Sequence, residues 1–536
     1  MDLTQEVQAW IADDPDPKTA AQLQQWLDSN NEVELRTSFS GFLQFGTAGL
    51  RGPIRPGPSG MNRAVVGRTA AGLAAYMKER NLTSVVIGRD ARYGSEDFTF
   101  ETAQIMSGAG MKVYVLPRPL PTPVLAFATN ELKCDVGIMV TASHNPPQDN
   151  GYKVYLGGTV DGIHYRGSQI VSPTDESIAQ KIDSITSLAS QPRGKEWTVL
   201  GEEVVDKYVG ITAALAHKPG NLKIVYTAMH GVGTETLQQV FHKAGFPQPI
   251  LVDSQAKPDP DFPTVAFPNP EEPGAIDLAL ETARTFDADL VIANDPDADR
   301  CAAAVKDPIN GWRMLRGDEL GVILGETIAR ATTQGILANS IVSSSILSKI
   351  AAHYKLDFKE TLTGFKWLAK IDGLTFGYEE ALGYAVDAVT VNDKDGISAA
   401  IKLAQIATDL AAQNKTLLDL LDEVWARHGF HATEQISIRL SDLSQVGVIM
   451  GNLRRNSPKE IAGRLITSID DLAKPKDGLP PTDGLRIWLD GGIRIIIRPS
   501  GTEAKMKCYI EAIAKDSATA QTVLDQLRAP LKELLS

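Results

Sequence analysis

The chain has 536 residues and a mass of 57.8 kDa, which is too much for one hydrophobic core and predicts several domains. Its net charge of −13 argues against a nucleic-acid-binding surface or an anionic-membrane surface, because both partners are themselves negative. The three cysteines are far apart, no apolar run reaches the roughly 20 residues of a membrane helix, and the N-terminus lacks a signal-peptide pattern. These features predict a cytoplasmic protein without a disulfide framework or a zinc site.

The predicted elements begin with helices and continue as alternating strands and helices. Leu23, Trp26 and Leu27 recur at helical spacing within the first forty residues, and Asp14-Pro-Asp-Pro17 interrupts that segment. Beyond them, short apolar runs lie between amphipathic stretches, which is typical of sheets covered by helices on both faces. The predicted strands are Val85–Ile87, Lys112–Leu116, Val136–Val140, Lys223–Tyr226, Ile250–Val252, Leu290–Ile292 and Ile341–Ile346.

The C-terminal part has a different pattern. Gln435–Leu440, Leu485–Leu489 and Ile493–Arg498 are predicted strands, with Gly491-Gly492 as a hairpin turn. Ser517 is the predicted N-cap of a final amphipathic helix. The sequence therefore predicts an α/β protein with three similar mixed-sheet α/β domains and a C-terminal α+β domain. The predicted boundaries are 1–205, 206–316, 317–429 and 430–536.

Three carboxylates follow the strand Leu290–Ile292, in Asp295-Pro-Asp-Ala-Asp-Arg300. Aspartates at alternate positions of a loop can converge on one cation, and their oxygens favour Mg²⁺ or Ca²⁺. An EF-hand would need Gly and Glu where Arg300 and Lys306 stand. The pattern predicts a metal site formed by Asp295, Asp297 and Asp299, with an acidic surface turn as the alternative.

One serine follows the strand Val136–Val140, in Thr141-Ala-Ser-His-Asn-Pro146. A Ser–His–Asp hydrolase fits poorly, because no GxSxG elbow surrounds Ser143 and adjacent side chains of an extended segment point apart, which would separate Ser143 from His144. A serine without its own base can still act as a phosphate carrier, with Lys153 supplying one charge and the aspartate loop a metal. A plain surface turn is the alternative.

Two further loops could recognise a ligand. Arg498-Pro-Ser-Gly-Thr-Glu503 follows a strand, and its backbone N–H groups and hydroxyls could form an anion nest beside Arg498. Gly377-Tyr-Glu-Glu-Ala-Leu-Gly-Tyr384 places two acids between glycines, where carboxylates could accept hydrogen bonds from sugar hydroxyls. The alternatives are an ordinary turn for the first loop and a solvated acidic helix start for the second.

These four loops, in this order, resemble those of the α-D-phosphohexomutase superfamily, which contains phosphoglucomutases and phosphomannomutases. The resemblance covers nearly the whole chain and is closest to the branch of the type-2 phosphoglucomutase, which is also a phosphopentomutase. Further matching segments are Phe45-Gly-Thr-Ala-Gly-Leu-Arg-Gly52, Gly88-Arg-Asp-Ala-Arg92, Met229-His-Gly-Val-Gly233, Thr363-Gly-Phe-Lys-Trp367 and Asp393-Lys-Asp-Gly396.

The resemblance implies four domains around a central active-site cleft and an isomerase that moves a phosphoryl group within a sugar phosphate. It implies Mg²⁺ as cofactor, a sugar bisphosphate of the glucose 1,6-bisphosphate type as activator, a small phosphosugar as substrate, no nucleic-acid or membrane partner, and a monomer or weak homodimer. The implied catalytic residues are Ser143, His144, Lys153, Arg51 and Lys394, with Ser143 also binding the metal beside Asp295, Asp297 and Asp299. The implied substrate-binding residues are Arg300, Gly377, Glu379, Glu380, Arg498, Ser500, Gly501 and Thr502.

The loop at Gly377 departs from the patterns GEMSGH and GEESFG of other branches, since it has neither the serine nor the histidine. The resemblance favours glucose phosphates, with mannose or pentose phosphates as alternatives, and leaves open whether Glu379 or Glu380 contacts the sugar. It also leaves two candidates for the acid/base group. Lys153 is the first, because crowding by other cations would lower its pKa, and Lys394 is the second. The other classes considered are a non-catalytic sugar-phosphate sensor and a phosphatase that loses the phosphoserine to water.

Overall fold

The structure is a computed structural model that describes residues 2–46, 49–309, 311–500 and 505–535. The predicted site residues Gly501 and Thr502 lie outside the described residues. The chain forms two compact units. The first comprises the chain up to Leu315 with Ala369–Asp372 and Ala381–Asp409, and the second comprises Arg316–Leu368, Gly373–Glu380 and the chain from Leu410.

The helices, in chain order, are α1 Leu3–Asp13, α2 Pro17–Asp28, α3 Glu32–Ser38, α4 Arg63–Glu79, α5 Ser95–Gly108, α6 Thr122–Glu131, α7 Thr174–Asp183, α8 Glu203–Ala213, α9 Gly233–Lys243, α10 Asp277–Thr285, α11 Gly317–Ala331, α12 Ile346–Tyr354, α13 Phe365–Leu368, α14 Gly396–Ala411, α15 Leu417–His428, α16 Leu443–Arg455 and α17 Ser517–Leu534. A short 3₁₀ helix covers Asp253–Gln255. None of the described helices has the length and apolar character needed to span a membrane.

The strands of the first unit are β1 Leu50–Pro53, β2 Ser84–Arg89, β3 Lys112–Val115, β4 Val136–Val140, β5 Asp149–Leu156, β6 Thr159–Val160, β7 Ile163–His164, β8 Ser168–Gln169, β9 Thr198–Val199, β10 Ile224–Thr227, β11 Ile250–Leu251, β12 Leu290–Ala293, β13 Ala302–Asp307 and β14 Gly311–Met314. Those that follow are β15 Ile336–Ser340, β16 Asp357–Thr361, β17 Leu374–Glu379, β18 Gly383–Ala385, β19 Phe430–Arg439, β20 Glu460–Ile461, β21 Arg464–Asp471, β22 Leu485–Leu489, β23 Ile493–Pro499 and β24 Lys505–Ala514. Of these, β18 belongs to the first unit and the others to the second.

Two mixed sheets organise the first unit. One has the strand order β1-β5-β4-β2-β3-β9, with β8 paired to β5. In it, β2 runs parallel to β3 and β4, and β5 runs antiparallel to β4 and β1. The other has the order β11-β10-β12-β13-β14, in which β10 is parallel to both neighbours and β13 and β14 are antiparallel additions. Every residue of β4 and β12 is buried, as is typical of central strands in a sheet that is covered on both faces. Both strands end at the predicted site loops.

The second unit combines a parallel sheet and an antiparallel sheet. β15 runs parallel to β16 and β17. The C-terminal sheet has the order β19-β24-β23-β22-β21-β20 with antiparallel pairs throughout, and α17 packs its leucines Leu524, Leu527 and Leu531 into the core under it. The predicted fold class, α/β domains followed by an α+β domain, is confirmed.

Two local predictions are wrong. Ile341–Ile346 is not a strand: β15 ends at Ser340, a turn follows, and α12 begins at Ile346. The run of serines there serves side-chain hydrogen bonds, since Ser343 donates to Glu380 and Ser344 to Glu511. The last helix is capped by Asp516, whose carboxylate accepts from the Thr519 N–H, and Ser517 is its first residue. The Gly491-Gly492 hairpin turn between β22 and β23 is confirmed, and both glycines have φ near +78°.

Candidate active site

Ser143 lies buried in the loop that follows β4, with 3% of its surface exposed. Its Oγ donates to Oδ2 of Asp295 over 2.8 Å, and its N–H donates to Oγ1 of Thr141 over 3.0 Å. The expected separation of Ser143 from His144 is wrong, because Nδ1 of His144 lies 3.1 Å from Ser143 Oγ. Ser143 has φ +53°, so the chain is left-handed there and the alternation of side chains in an extended segment does not apply.

The guanidinium of Arg92 holds the serine loop in place. It donates to four backbone carbonyls, those of Ser143 (2.7 Å), Asn145 (2.6 Å), Pro146 (2.8 Å) and Asp149 (3.2 Å). Burial of an arginine requires charge compensation, which Asp90 provides at 3.4 Å. This role of Arg92 was not predicted from the sequence, although the segment Gly88-Arg-Asp-Ala-Arg92 was among the matching segments.

The aspartate loop follows β12 and closes on itself. Asn294 accepts from the Tyr226 hydroxyl and donates its amide to the carbonyl of Arg300, which joins the two ends of the loop. Asp295, Asp297 and Asp299 are all buried, with at most 1% exposed, and one oxygen of each lies within 4.8 Å of the others. The alternative of an acidic surface turn is therefore wrong, since the loop is not at the surface.

The free oxygens of this cluster fit a metal ion. Oδ1 of Asp297 and Oδ1 of Asp299 are buried and accept no hydrogen bond from the described residues. Three buried carboxylates repel one another strongly unless a cation lies between them. Burial, together with the charges of Asp297 and Asp299, raises the pKa of Asp295 well above its usual range. The three aspartates can therefore hold a metal through hard oxygen ligands.

Two lysines lie against the same carboxylates. Lys153 Nζ donates to Oδ2 of Asp297 (2.8 Å) and Oδ2 of Asp299 (2.9 Å), and Lys394 Nζ lies 3.0 Å from Oδ2 of Asp299. Burial raises the pKa of Asp299, but both ammonium groups outweigh it and hold that pKa far below the usual range. Burial lowers the pKa of Lys153, but Asp297 and Asp299 outweigh it. The pKa is raised, contrary to the lowering expected from crowding by cations.

Other predicted residues surround the serine and the cluster. Arg51 is exposed and donates to Oδ1 of Asn145 over 3.1 Å, next to the serine loop. The backbone N–H of Arg300 donates to Oδ1 of Asp295 over 3.1 Å, and its side-chain Nε lies 3.9 Å from Oδ2 of the same residue. Burial, followed by the charges of Arg300 and Arg51, lowers the pKa of His144 well below its usual range, so the imidazole is neutral at pH 7.

Two glycines permit the close approach of neighbouring loops to the aspartates. A Cβ on Gly231, in Met229-His-Gly-Val-Gly233, would lie 2.3 Å from the backbone of Pro296, and the N–H of Val232 donates to the carbonyl of that proline. A Cβ on Gly396 would lie 2.1 Å from the carbonyl oxygen of Arg300. Gly396 ends the segment that carries Lys394, so only glycine allows this segment to lie against the aspartate loop.

In the predicted sugar loop, Gly377, Glu379 and Glu380 belong to the second unit, whereas the residues from Ala381 to Tyr384 belong to the first; the predicted phosphate loop belongs to the second unit. Gly377 and Glu379 lie in β17, so the alternative of a solvated helix start is wrong. Glu379 is 8% exposed and its Oε1 accepts from the N–H of Gly364 over 2.6 Å, whereas Oε2 of Glu380 accepts from the hydroxyls of Ser340 and Ser343.

In the phosphate loop, Arg498 lies near the end of β23 and is partly buried, as is Ser500. The N–H of Ser500 donates to the carbonyl of Lys505 over 2.8 Å. Gly501 and Thr502, the remaining residues predicted to bind phosphate, are among those not described.

Thr122 was not predicted from the sequence, and neither was the role of Asp395, although that residue lies in the segment Asp393-Lys-Asp-Gly396. Thr122, the first residue of α6, donates its hydroxyl to Oδ2 of Asp297 over 2.7 Å. Asp395 accepts from the Tyr208 hydroxyl and from the N–H groups of Ile397 and Ser398, which fixes the turn next to Lys394. No spacing in the sequence indicates the contact of Thr122, because 175 residues separate it from Asp297.

The fold consists of three α/β domains and a C-terminal α+β domain, and a serine hydroxyl donates a hydrogen bond to a buried acidic cluster. This combination defines the class of the phosphohexomutases, which are intramolecular phosphotransferases. Models of the phosphoglucomutase/phosphomannomutase family match the chain in order: alpha/beta/alpha domain I at 43–189, domain II at 204–311, domain III at 316–428 and the C-terminal domain at 450–529. The chain belongs to the phosphoglucomutase/phosphomannomutase family, and the resemblance seen in the sequence is confirmed. The four domain boundaries proposed from the sequence stay a prediction.

Curated relatives carry several names within this class. The chain is 49% identical over 482 residues to a "probable phosphomannomutase" of Haemophilus influenzae, covering 89% of this chain and 98% of the relative. It is 34% identical to the phosphopentomutase of Mus musculus (99% of this chain, 94% of the relative). It is 33% identical to a phosphoglucomutase of Staphylococcus haemolyticus (90% and 92%).

A solved structure shares the fold. A phosphoglucomutase/phosphomannomutase family protein from Burkholderia thailandensis superposes with a TM-score of 0.71 at 20% identity, covering 91% of this chain and 97% of that one.

Proposed function

We propose that this protein is a phospho-sugar mutase that interconverts hexose 1-phosphate and hexose 6-phosphate, with glucose phosphates as preferred substrates. Ser143 carries the phosphoryl group between turnovers, and a sugar bisphosphate of the glucose 1,6-bisphosphate type is both intermediate and activator. The observation that carries the proposal is the position of Ser143 Oγ, which lies 2.8 Å from Asp295 at a buried cluster of three carboxylates and two ammonium groups.

The cofactor in this proposal is Mg²⁺, held by Asp295, Asp297 and Asp299 and by an oxygen of the phosphoserine. When bound, it offsets negative charge on the phosphoryl group and on the serine oxygen that leaves. The two orphaned oxygens of Asp297 and Asp299 supply ligands without breaking any hydrogen bond of the described residues.

In the first half-reaction a hydroxyl oxygen of the sugar phosphate attacks the phosphorus of phosphoserine 143. The new P–O bond forms as the bond to Ser143 Oγ breaks. The hydroxyl proton passes to a base, and the serine oxygen takes a proton from an acid. Lys153 and Lys394 are the candidates for these proton transfers, and Arg51 and neutral His144 contact the phosphoryl oxygens.

Lys153 Nζ donates to the carboxylates of Asp297 and Asp299, so its ammonium form is suited to charge neutralisation and to proton donation. It can act as a base only after it leaves the carboxylates of Asp297 and Asp299. Lys394 Nζ lies 3.0 Å from Asp299 and 3.9 Å from Asp393, and it is the second candidate for the proton transfers.

The residues proposed to recognise the substrate are Arg300 and those of the loops at Gly377 and Arg498. Gly377 allows backbone approach, one of Glu379 and Glu380 accepts from sugar hydroxyls, and a charge-based nest holds the phosphate that does not react. The members of this nest are Arg498, Ser500, Gly501 and Thr502. Because the nest recognises a phosphate rather than one face of a sugar, it can accept either end of the bisphosphate, which must turn over before the second half-reaction.

A pentose phosphate is the second candidate substrate. Its support is the 34% identity to a phosphopentomutase over 99% of this chain, which includes all four family domains. A mannose phosphate has comparable support from the 49% identical relative of Haemophilus influenzae.

A coupled assay distinguishes the substrates. Purified full-length protein with Mg²⁺ and a trace of the matching bisphosphate is given glucose 1-phosphate, mannose 1-phosphate or ribose 1-phosphate, and free phosphate is followed in parallel. We expect isomerisation without phosphate release, with the highest kcat/KM for glucose 1-phosphate. Phosphate release without isomerisation would instead indicate a phosphatase, and binding without either product would indicate a sensor.

The variant Ser143→Ala tests the carrier role. We expect no mutase turnover and no phosphorylation detectable by intact mass, with an unchanged melting temperature. Ser38→Ala is a matched control, because Ser38 is equally buried and its Oγ has no hydrogen-bond partner among the described residues. Normal turnover by Ser143→Ala would contradict the mechanism.

A further inference from the structure

The two oxygens of the Asp297 carboxylate have different surroundings. Oδ2 accepts from Lys153 Nζ over 2.8 Å and from the hydroxyl of Thr122 over 2.7 Å. Oδ1 is buried and accepts from none of the described residues. Two donors on one oxygen fix the rotation of the carboxylate about its Cβ–Cγ bond and leave the other oxygen available.

The two donors differ in how firmly they are held. Lys153 is shared, because its single ammonium also contacts Asp299. In the proposed function it must serve a phosphoryl group as well, so its contact with Asp297 is not permanent. The hydroxyl of Thr122 donates to no second acceptor among the described residues, and it carries no charge that a phosphate would attract.

The fold holds Thr122 rigidly against the aspartate loop. It is the first residue of α6, a helix buried over Thr122–Thr129 that packs on β2 and β4. Its own backbone N–H donates to the carbonyl of Asp297 over 2.9 Å. The backbone and the side chain of Thr122 therefore hold the backbone and the side chain of the same aspartate, although the two residues come from different family domains.

Asp297 differs from Asp295 and Asp299 in the kind of group that holds its carboxylate. The side chain of Asp295 accepts from Ser143 Oγ and from the backbone N–H of Arg300, and both donors belong to the loops that take part in the proposed reaction. Asp299 is held by the ammonium groups of Lys153 and Lys394. Among the described contacts of the three carboxylates, only those of Asp297 include a neutral side chain that takes no part in the proposed reaction. That side chain fixes the orientation of the Asp297 carboxylate.

We propose that Thr122 is a positioning residue for the metal site: its hydroxyl holds Oδ2 of Asp297 and so presents Oδ1 as a ligand for a divalent cation. This inference rests on the proposed function, because it requires that the aspartate cluster binds Mg²⁺. Groups that orient a metal ligand through hydrogen bonds commonly change metal affinity by about 10- to 100-fold when they are removed.

Direct binding measurements test the proposal. Thr122→Val keeps the shape of the side chain and the backbone bond to Asp297 but removes the hydroxyl, whereas Thr122→Ser keeps a donor. Thr129→Val is the matched control, since Thr129 lies in the same helix, is fully buried, and donates only to the carbonyl of Leu125 in its own helix. Mg²⁺ binding to each full-length protein is measured by calorimetry, with Mn²⁺ and its paramagnetic resonance as a second probe and a thermal melt as the folding check.

We expect the Kd for Mg²⁺ to rise at least tenfold in Thr122→Val and to recover in Thr122→Ser. Thr129→Val should bind like the wild type. If the wild type binds Mg²⁺ and Thr122→Val binds it equally well, the inference is wrong and the proposed function stands. If Thr129→Val weakens binding as much as Thr122→Val, the effect is a general one on α6 and the inference is also wrong. If the wild type binds no divalent cation, the proposed metal site fails, and the inference fails with it.

Discussion

The substitution Arg92→Lys tests how much the hydrogen bonds of Arg92 contribute to positioning Ser143, because it keeps the positive charge of that residue. Lysine keeps a cation near buried Asp90, but one ammonium cannot face the carbonyls of Ser143, Asn145, Pro146 and Asp149 as the guanidinium does. We expect about two of the four bonds to be lost. At about 1.5–3 kcal/mol for a bond to a charged donor, the serine loop loses at least about 3 kcal/mol of local stability.

A loss of about 3 kcal/mol in the competent loop conformation corresponds to a fall of about 100-fold in kcat, since each 1.36 kcal/mol is tenfold in rate. The assay is steady-state turnover with saturating sugar phosphate and bisphosphate. Hydrogen exchange over residues 141–150 reports the loop independently, and we expect faster exchange there.

Arg89→Lys is the control for this prediction. Arg89 belongs to the same segment and pairs with the exposed carboxylate of Glu96 at 3.0 Å. An exposed pair of this kind contributes little to stability, so kcat should stay within about twofold of the wild type. Arg92→Lys with wild-type kcat and unchanged exchange over 141–150 would refute the reasoning.

Two buried carboxyls of the second unit should give opposite pH dependences. Burial raises the pKa of Glu511, but the effects of Arg494 and His431 are larger and lower that pKa to about 2. Ionised Glu511 therefore contributes about 3 kcal/mol above pH 4.5, which is lost as the pH falls towards 2. In urea unfolding, Glu511→Gln should be less stable than the wild type at pH 7, and the difference should shrink at pH 3. A difference equal at both pH values would contradict this. Burial raises the pKa of Asp318 to about 6. The folded state therefore binds the proton of Asp318 more tightly than the unfolded state does, and about 3 kcal/mol of the free energy of unfolding is lost as the pH rises from about 4 to 6. Asp318→Asn keeps an acceptor for Ser344 and Tyr378 and should abolish that loss in thermal melts between pH 4 and 7.5. An undiminished loss in the variant would show that another group titrates.

The elements and the composition of the site could be predicted because both depend on local pattern. Apolar runs such as Val136–Val140 and Leu290–Ile292 form central strands because a strand buried on both faces needs continuous apolar residues. Polar residues directly after such strands lie at the sheet edge where ligands bind. The sequence therefore indicated Ser143, Asp295, Asp297 and Asp299 without any knowledge of their separation in space.

Local predictions failed where side chains decide the backbone. The serines after Ser340 lie in a turn in which hydroxyls donate to the carboxylates of Glu380 and Glu511, and an apolar pattern gives no sign of those partners. The proximity of Ser143 and His144 depends on one residue with φ +53°, and a non-glycine residue in that conformation is not indicated by its type.

The sequence by itself determined which residues end the strands, which of them are acidic or nucleophilic, and the family to which the chain belongs. Only the tertiary structure decided which groups meet. Lys153 contacts carboxylates 144 and 146 residues away, and Thr122 contacts one 175 residues away. These contacts follow from the order and direction of strands in two sheets, which bring distant strand ends together. A pairing of this kind leaves no spacing in the sequence, because either partner is compatible with many other neighbours until the sheets have formed.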